Sequence, residues 1–171
     1  MKKKDVLLFT NKFKEVSDKI DHNLLNEKKF ELKIGFWLDS VVFRLQKKAW
    51  TNNKNASIFF SIWLNEDAIK SNKLFYNIHA LKLREFKGYS IQSRDFAFAF
   101  REKFKKYKAK WPNVSVDYGP LTLMEGFQKI DLNDFEKEML VLFNLFFKME
   151  HLIDDNLNER KIVADKKSKA I

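Results

Sequence analysis

The sequence predicts an α+β domain in which an antiparallel sheet packs against helices. Two observations lead to this fold class. Short runs rich in Phe, Ile, Val and Trp follow one another between residues 30 and 91, and longer segments with apolar residues at helical spacing flank them. The predicted order is α-β-β-β-β-α-β-α: a meander of about four strands, one or two later strands, and N-terminal, middle and C-terminal helices.

The N-terminal helix is predicted from DVLLFTNKFKEVSDKIDHNLL, in which apolar residues recur at helical intervals from Val6 to Leu24. The strands are predicted from FELKIGFW, VVFRLQKKAW, SIFFSIWL and KLFYNIHALKLREF. Aromatic and β-branched residues favour strands, and Asn and Asp in the connecting segments favour turns. Residues 38–50 remain ambiguous, because their apolar residues fit a helix as well as a strand.

The segment SRDFAFAFREKFKKYKAKW begins like a strand but is predicted to be a helix. Its alternating pattern covers only five residues, Phe96 to Phe100, whereas aromatic residues recur every three or four positions as far as Trp111. Ser93 is the predicted N-cap, and Pro112 ends the segment because it restricts the residue before it.

After this helix, VSVDYGP and LTLMEGFQKI predict a last strand or hairpin, and Asp131 is expected to open the final helix. That helix has an unusually wide apolar face, reaching from Phe135 to Ile153 and broadened between Leu140 and Phe147. We expect a single domain over residues 1–157, and a basic, flexible tail over residues 158–171.

Composition narrows the classes of protein that remain. The chain of 171 residues has no cysteine, which excludes disulfides and thiolate chemistry and fits a cytoplasmic protein. The longest apolar run, from Met139 to Phe147, is much shorter than the roughly 20 residues that a membrane-spanning helix needs, so no membrane association is expected.

The formal net charge of +10 suggests a polyanionic partner such as nucleic acid. A second explanation competes with this one. Lysine dominates the 33 basic residues and Asn, Ile and Phe are abundant, as the codons of an A/T-rich bacterial genome produce whatever the function. Specific phosphate recognition favours arginine, whose guanidinium forms paired hydrogen bonds, so the predominance of lysine supports the second explanation.

The sequence contains no motif that indicates catalysis, a cofactor or a metal. The pair Glu31 and Lys33 fits the Glu-x-Lys of some metal-dependent nucleases, but a lysine-rich chain produces such pairs by chance. We therefore expect a non-enzymatic protein without a metal or cofactor, and keep a small nuclease as a second alternative.

One surface feature predicts a binding site. On a helical wheel, the side of the middle helix opposite its core stripe carries one phenylalanine among basic residues. If this phenylalanine is exposed, it can stack on a base while its neighbours bind phosphates, and if another helix covers it, the helix is simply buried on two sides. The predicted polyanion site consists of Arg94, Phe98, Arg101, Lys105 and Lys108.

Three functional hypotheses follow from these patterns. The first is a binding module that holds a polyanion or nucleic acid on this basic helix. The first alternative is an interaction or homodimeric accessory protein, which associates through the C-terminal helix because its apolar face is so wide. The second alternative is the small metal-dependent nuclease.

Overall fold

A computed structural model describes residues 1–52, 55–131 and 133–162. Five antiparallel strands form a single meandering sheet in the order β1-β2-β3-β4-β5, which confirms the predicted α+β class. The strands are β1 (Phe30–Trp37), β2 (Ser40–Lys47), β3 (Ser57–Leu64), β4 (Lys73–Leu81) and β5 (Thr122–Lys129). The helices are α1 (Lys3–Ser17), α2 (His22–Glu27), α3 (Glu66–Lys70), α4 (Ser93–Lys108), α5 (Phe135–Met149) and α6 (His151–Asn158).

The ambiguous segment 38–50 forms strand β2 followed by a 3-10 turn at Lys48–Trp50. Its helical spacing is overridden by pairing on both sides, with β1 and with β3. In this register Val41, Phe43 and Leu45 all point to one face of the sheet and are fully buried. A strand buried on one face is stabilised by these cross-strand contacts more than by its own propensity.

That buried face is covered by α1 and α5, which explains the wide apolar face of the C-terminal helix. Phe143 lies 4.6 Å from Phe43, and Phe146 stacks on Phe60 at 4.4 Å, measured between ring centroids. Both helix residues are at most 1% exposed. Full burial of one such ring contributes about 1.5–3 kcal/mol, so these contacts are a large part of the core.

The predicted N-terminal helix is interrupted, because α1 ends at Ser17 and α2 begins at His22. The side chain of Asp21 accepts hydrogen bonds from the backbone N–H groups of Asn23 and Leu24. An aspartate that caps a new helix satisfies otherwise unpaired N–H groups, so the chain starts a second helix here instead of continuing the first.

Two further helix ends differ from the prediction. The middle helix has Gln92 at its N-cap position without a side-chain hydrogen bond, so Ser93 is the first helical residue and not the cap. The C-terminal helix begins at Phe135 instead of Asp131, because the Asp131 side chain accepts from the backbone N–H of Asn133 in a preceding turn. Local side-chain hydrogen bonds of this kind compete with helix formation.

The predicted final helix is also divided, at Glu150, where a buried ionic cluster joins it to the sheet. Glu150 is 3% exposed and accepts hydrogen bonds from Lys28 at 2.6 Å and Lys47 at 2.7 Å. Lys47 also contacts Asp154 at 2.5 Å, and Asp154 accepts from the indole N–H of Trp50 at 2.7 Å. The cluster therefore connects α2, β2 and α6 through charge-assisted hydrogen bonds.

The start of the predicted tail is in contact with the domain. The backbone N–H of Ser90 donates to the carbonyl of Arg160, and that of Ile162 donates to the carbonyl of Gly88, each at 2.9 Å. The remainder of the predicted tail, residues 163–171, lies outside the described residues. None of the helices in the described ranges is long and apolar enough to cross a bilayer.

Candidate functional site

The predicted middle helix is α4, and its basic side is largely in contact with solvent. Phe98 is 67% exposed, so none of the described helices covers it. Arg94, Lys105 and Lys108 are also exposed, and Lys105 forms an ion pair with Glu102 at 2.7 Å. Four of the five predicted polyanion-binding residues are therefore available to a ligand.

Arg101 is the exception, because its guanidinium is already occupied. The two N–H hydrogens of its Nη2 are shared among the backbone carbonyls of Tyr118, Gly119 and Thr122 at 2.9–3.0 Å, and its Nε donates to that of Leu123 at 3.2 Å. Burial lowers the pKa of this side chain. Arg101 thus holds the turn that enters β5 against α4, a structural role that a helical wheel cannot reveal.

A second candidate surface is the face of the sheet opposite α1 and α5. Because the strands pair in register, its side chains form rows that cross the sheet from strand to strand. One row is polar, with basic residues on β1 and β2 and a carboxylate on β5. Its members, in order from β1 to β5, are Lys33, Arg44, Ser61, Asn77 and Glu125.

The next row toward the β1–β2 turn is apolar and aromatic, with Trp63 and Phe75 stacked at 4.5 Å between ring centroids. Trp37 extends this apolar surface over β1. Its ring lies flat against Gly35, where an added Cβ would come within 2.7 Å of the indole. The absence of a side chain at this position leaves room for the tryptophan to lie across the strand, and any larger residue would displace the indole.

Arg44 is the cation of the polar row that lies against the other cleft residues, and it has no acidic partner in the described part of the chain. Its guanidinium carbon lies 3.6 Å from the ring centroid of Phe59, and Phe59 in turn contacts His79 edge-to-face. The Nε atom is buried and has no hydrogen-bond partner among the described residues. Burial lowers the pKa of Arg44, as expected for a charge removed from water.

The middle of the polar row forms a hydrogen-bonded floor. Ser61 and Asn77 are 3% and 4% exposed, and the Ser61 hydroxyl donates to the Asn77 amide oxygen at 2.5 Å. The Asn77 amide nitrogen then donates to a Glu125 carboxylate oxygen at 3.2 Å. This chain orients the Glu125 carboxylate, which is only partly covered and retains acceptor capacity.

His79 completes the polar side of this surface. Its Nδ1 atom lies 3.1 Å from the Thr122 hydroxyl and 3.3 Å from the carbonyl of Leu121. Burial lowers the pKa of His79, and the carbonyl hydrogen bond only partly opposes this effect. The neutral imidazole therefore adds a hydrogen-bonding group, and not a second permanent cation, beside Arg44.

These rows border an open groove of about 500 Å³, which we call the sheet cleft. This volume lies within the range of small-molecule binding sites. The sheet cleft is lined by Trp37, Leu38, Ser40, Val42, Arg44, Phe59, Ser61, Trp63, Asn65, Asn77, His79 and Glu125. It combines aromatic walls, a polar floor, one cation without an acidic partner and one carboxylate.

Sequence reasoning missed the sheet cleft, although one sign of it was present. Arg44, Ser61 and Asn77 occupy interior positions of runs that are otherwise aromatic and aliphatic, and polar residues on an otherwise apolar strand indicate a second, functional face. The strand register that brings these three residues together across the sheet is not visible in the sequence.

The residues of the nuclease hypothesis do not assemble into an acidic site. Glu31 and Lys33 both lie exposed on β1. Across residues 1–52, 55–131 and 133–162, no group of three or more His, Asp or Glu side chains is arranged to hold a metal ion.

Comparison with protein-family models, curated proteins and solved structures finds no match for this chain. The functional argument therefore starts from the chemistry of the sheet cleft and of the basic side of α4.

Proposed function

We propose that this protein is a binding module for a nucleotide, either free or as one unit of a single-stranded nucleic acid, and that the nucleotide lies in the sheet cleft. The observation that carries the proposal is Arg44. The stacking contact with Phe59 holds the guanidinium in place, while its buried Nε and partly desolvated charge have no acidic partner among the described residues, so an anionic ligand would complete the site.

The ends of the polar row define the ligand further. From Arg44 to Glu125 there are three inter-strand steps, which correspond to about 14 Å between backbones at roughly 4.8 Å per step. The Arg44 side chain reaches over Phe59 on β3, so the gap between the two charged groups is shorter than the backbone spacing. A ligand that fits this arrangement is anionic toward Arg44 and donates hydrogen bonds toward Glu125.

The aromatic walls account for the planar part of the ligand. Trp37 and Trp63 offer extended apolar faces beside the polar floor, and any nucleobase can stack on such a face. In this arrangement the phosphate contacts Arg44, the base stacks on the tryptophans, and a hydrogen-bond donor elsewhere on the nucleotide, such as a ribose hydroxyl, faces Glu125.

The proposal keeps the class of ligand predicted from the sequence but changes its location. None of the residues that line the sheet cleft belongs to α4. The basic side of α4 remains the competing site, because Phe98 is exposed there and lysines adjoin it. The two locations differ in which substitutions abolish binding.

The test is a titration of the full chain with probes that separate the two sources of a nucleotide. The probes are mononucleotides with each of the four bases, a ten-nucleotide single strand, and inorganic phosphate. Binding is followed by calorimetry and by tryptophan fluorescence, since Trp37 and Trp63 line the cleft. Preference for the strand over mononucleotides indicates a nucleic-acid ligand, and the reverse indicates a free nucleotide.

The variant Arg44→Met keeps the packing of the side chain on Phe59 and removes its charge. We expect it to weaken nucleotide binding by about tenfold or more, since a charged hydrogen bond contributes roughly 1.5–3 kcal/mol. Arg84→Met removes an exposed arginine outside the cleft and is the matched control. Unchanged binding by Arg44→Met, or loss of binding only in the pair Lys105→Ala and Lys108→Ala, would place the site on α4 instead.

A further inference from the structure

The turn between β1 and β2 holds a leucine in a backbone conformation that leucine disfavours. Trp37 pairs with Ser40, so Leu38 and Asp39 form a two-residue turn. Both have positive φ, 48° for Leu38 and 58° for Asp39. Such turns favour Asn and Gly, because a side chain in the left-handed region collides with its own backbone, and Asp is tolerated better than Leu.

Packing within the chain does not explain the leucine either. The Leu38 side chain is 98% exposed, so its burial contributes almost nothing to the free energy of folding. Its position nevertheless gives it a neighbour, because it lies at the rim of the sheet cleft next to Trp37. Lys29 and Lys82 also have positive φ, but neither lines the sheet cleft, and disfavoured backbone conformations cluster at ligand-binding sites, so the position of Leu38 raises the hypothesis of a contact role.

We propose that Leu38 is a ligand-contact residue, which covers the planar ring of the bound nucleotide at the end of the sheet cleft formed by Trp37. This inference rests on the proposed function. Trp37 lies against Gly35 and offers one aromatic face, and the turn places the leucine beside it. Ligand binding then buries the leucine and the exposed part of the indole together.

The substitution Leu38→Asn tests the inference through two readouts that move in opposite directions. Asparagine suits the left-handed region, so the midpoint of thermal unfolding should rise by about 2–4 °C. The affinity for the preferred nucleotide probe should fall by about tenfold, because the apolar contact is lost. Leu38→Met keeps an apolar side chain and should retain the affinity of the parent.

A control variant and the possible outcomes separate this inference from the proposed function. Leu7→Gln removes another exposed leucine, on α1, and should change neither readout appreciably. If Leu38→Asn binds as tightly as the parent, Leu38 is not a contact residue, although the sheet cleft can still be the site. If the midpoint does not rise, the strain argument is wrong. If the parent binds none of the probes, both proposals fall.

Discussion

Replacing Arg101 by alanine distinguishes a structural arginine from a phosphate-binding one. Arg101 was predicted from the helical wheel to contact a polyanion, yet its guanidinium donates to four backbone carbonyls between Tyr118 and Leu123. If these hydrogen bonds hold the turn before β5, Arg101→Ala should destabilise the folded chain whether or not nucleic acid is present.

The magnitude follows from the number and exposure of the hydrogen bonds. Each typically contributes about 0.5–1.5 kcal/mol, and the low end applies because water can reach these partly exposed carbonyls after the substitution. Four such bonds give a loss of about 2 kcal/mol. With a denaturant dependence of about 2 kcal/mol per molar urea, the unfolding midpoint should fall by about 1 M.

Urea titrations followed by circular dichroism measure this effect. Arg101→Lys retains the charge but cannot reach four carbonyls at once, so it should lose about half as much stability. Lys105→Ala, one turn further along α4 and exposed, should change stability by less than about 0.5 kcal/mol. A midpoint for Arg101→Ala equal to that of the parent, together with weaker nucleic-acid binding, would refute the structural role and restore the phosphate-binding one.

Three further predictions concern stability. Burial raises the pKa of Glu150, but hydrogen bonds from Lys28 and Lys47 and their charges outweigh it, so the pKa lies below its usual value. The contribution of the Glu150 carboxylate to the free energy of unfolding is therefore complete above the unfolded-state pKa of about 4.3, and it is lost as the pH falls through the lower pKa of the folded state. Glu150→Gln should therefore reduce the loss of stability on the acid side when the free energy of unfolding is measured against pH. Phe98→Ala should cost less than about 1 kcal/mol in thermal unfolding because the ring is mostly exposed, whereas Phe96→Ala, fully buried two residues earlier, should cost about 3–5 kcal/mol. Arg44→Met should match or exceed the parent in urea unfolding, because it removes a buried unpaired Nε, and a loss above 1 kcal/mol would show that the arginine stabilises the fold.

The placement of Arg101 and Phe98 shows which properties of a side chain a helical wheel can predict. Both were assigned to the side of α4 away from the core, and the wheel is correct about direction for both. It cannot say what else lies on that side. For Arg101 the turn before β5 supplies carbonyls, and for Phe98 nothing in the described parts of the chain covers the ring.

The sheet cleft could not be found in the same way. Arg44, Ser61 and Asn77 are far apart in the chain, and each alone is an ordinary polar residue within a strand. They become neighbours only because β2, β3 and β4 pair in one particular register. A shift of one residue in any pair would turn these side chains toward the helices.

The sequence by itself determined the class of the fold and the type of nearly every long element. Periodicity is a local property, so the amphipathic α4 and the runs of β1, β3 and β4 can be recognised without knowledge of their neighbours. The tertiary structure alone decided what depends on distant partners: that 40–47 is a strand, and that Arg44 lies beside Phe59 with no ion pair among the described residues. Strand pairing and burial are energies between groups separated along the chain, and the sequence specifies them only through the completed fold.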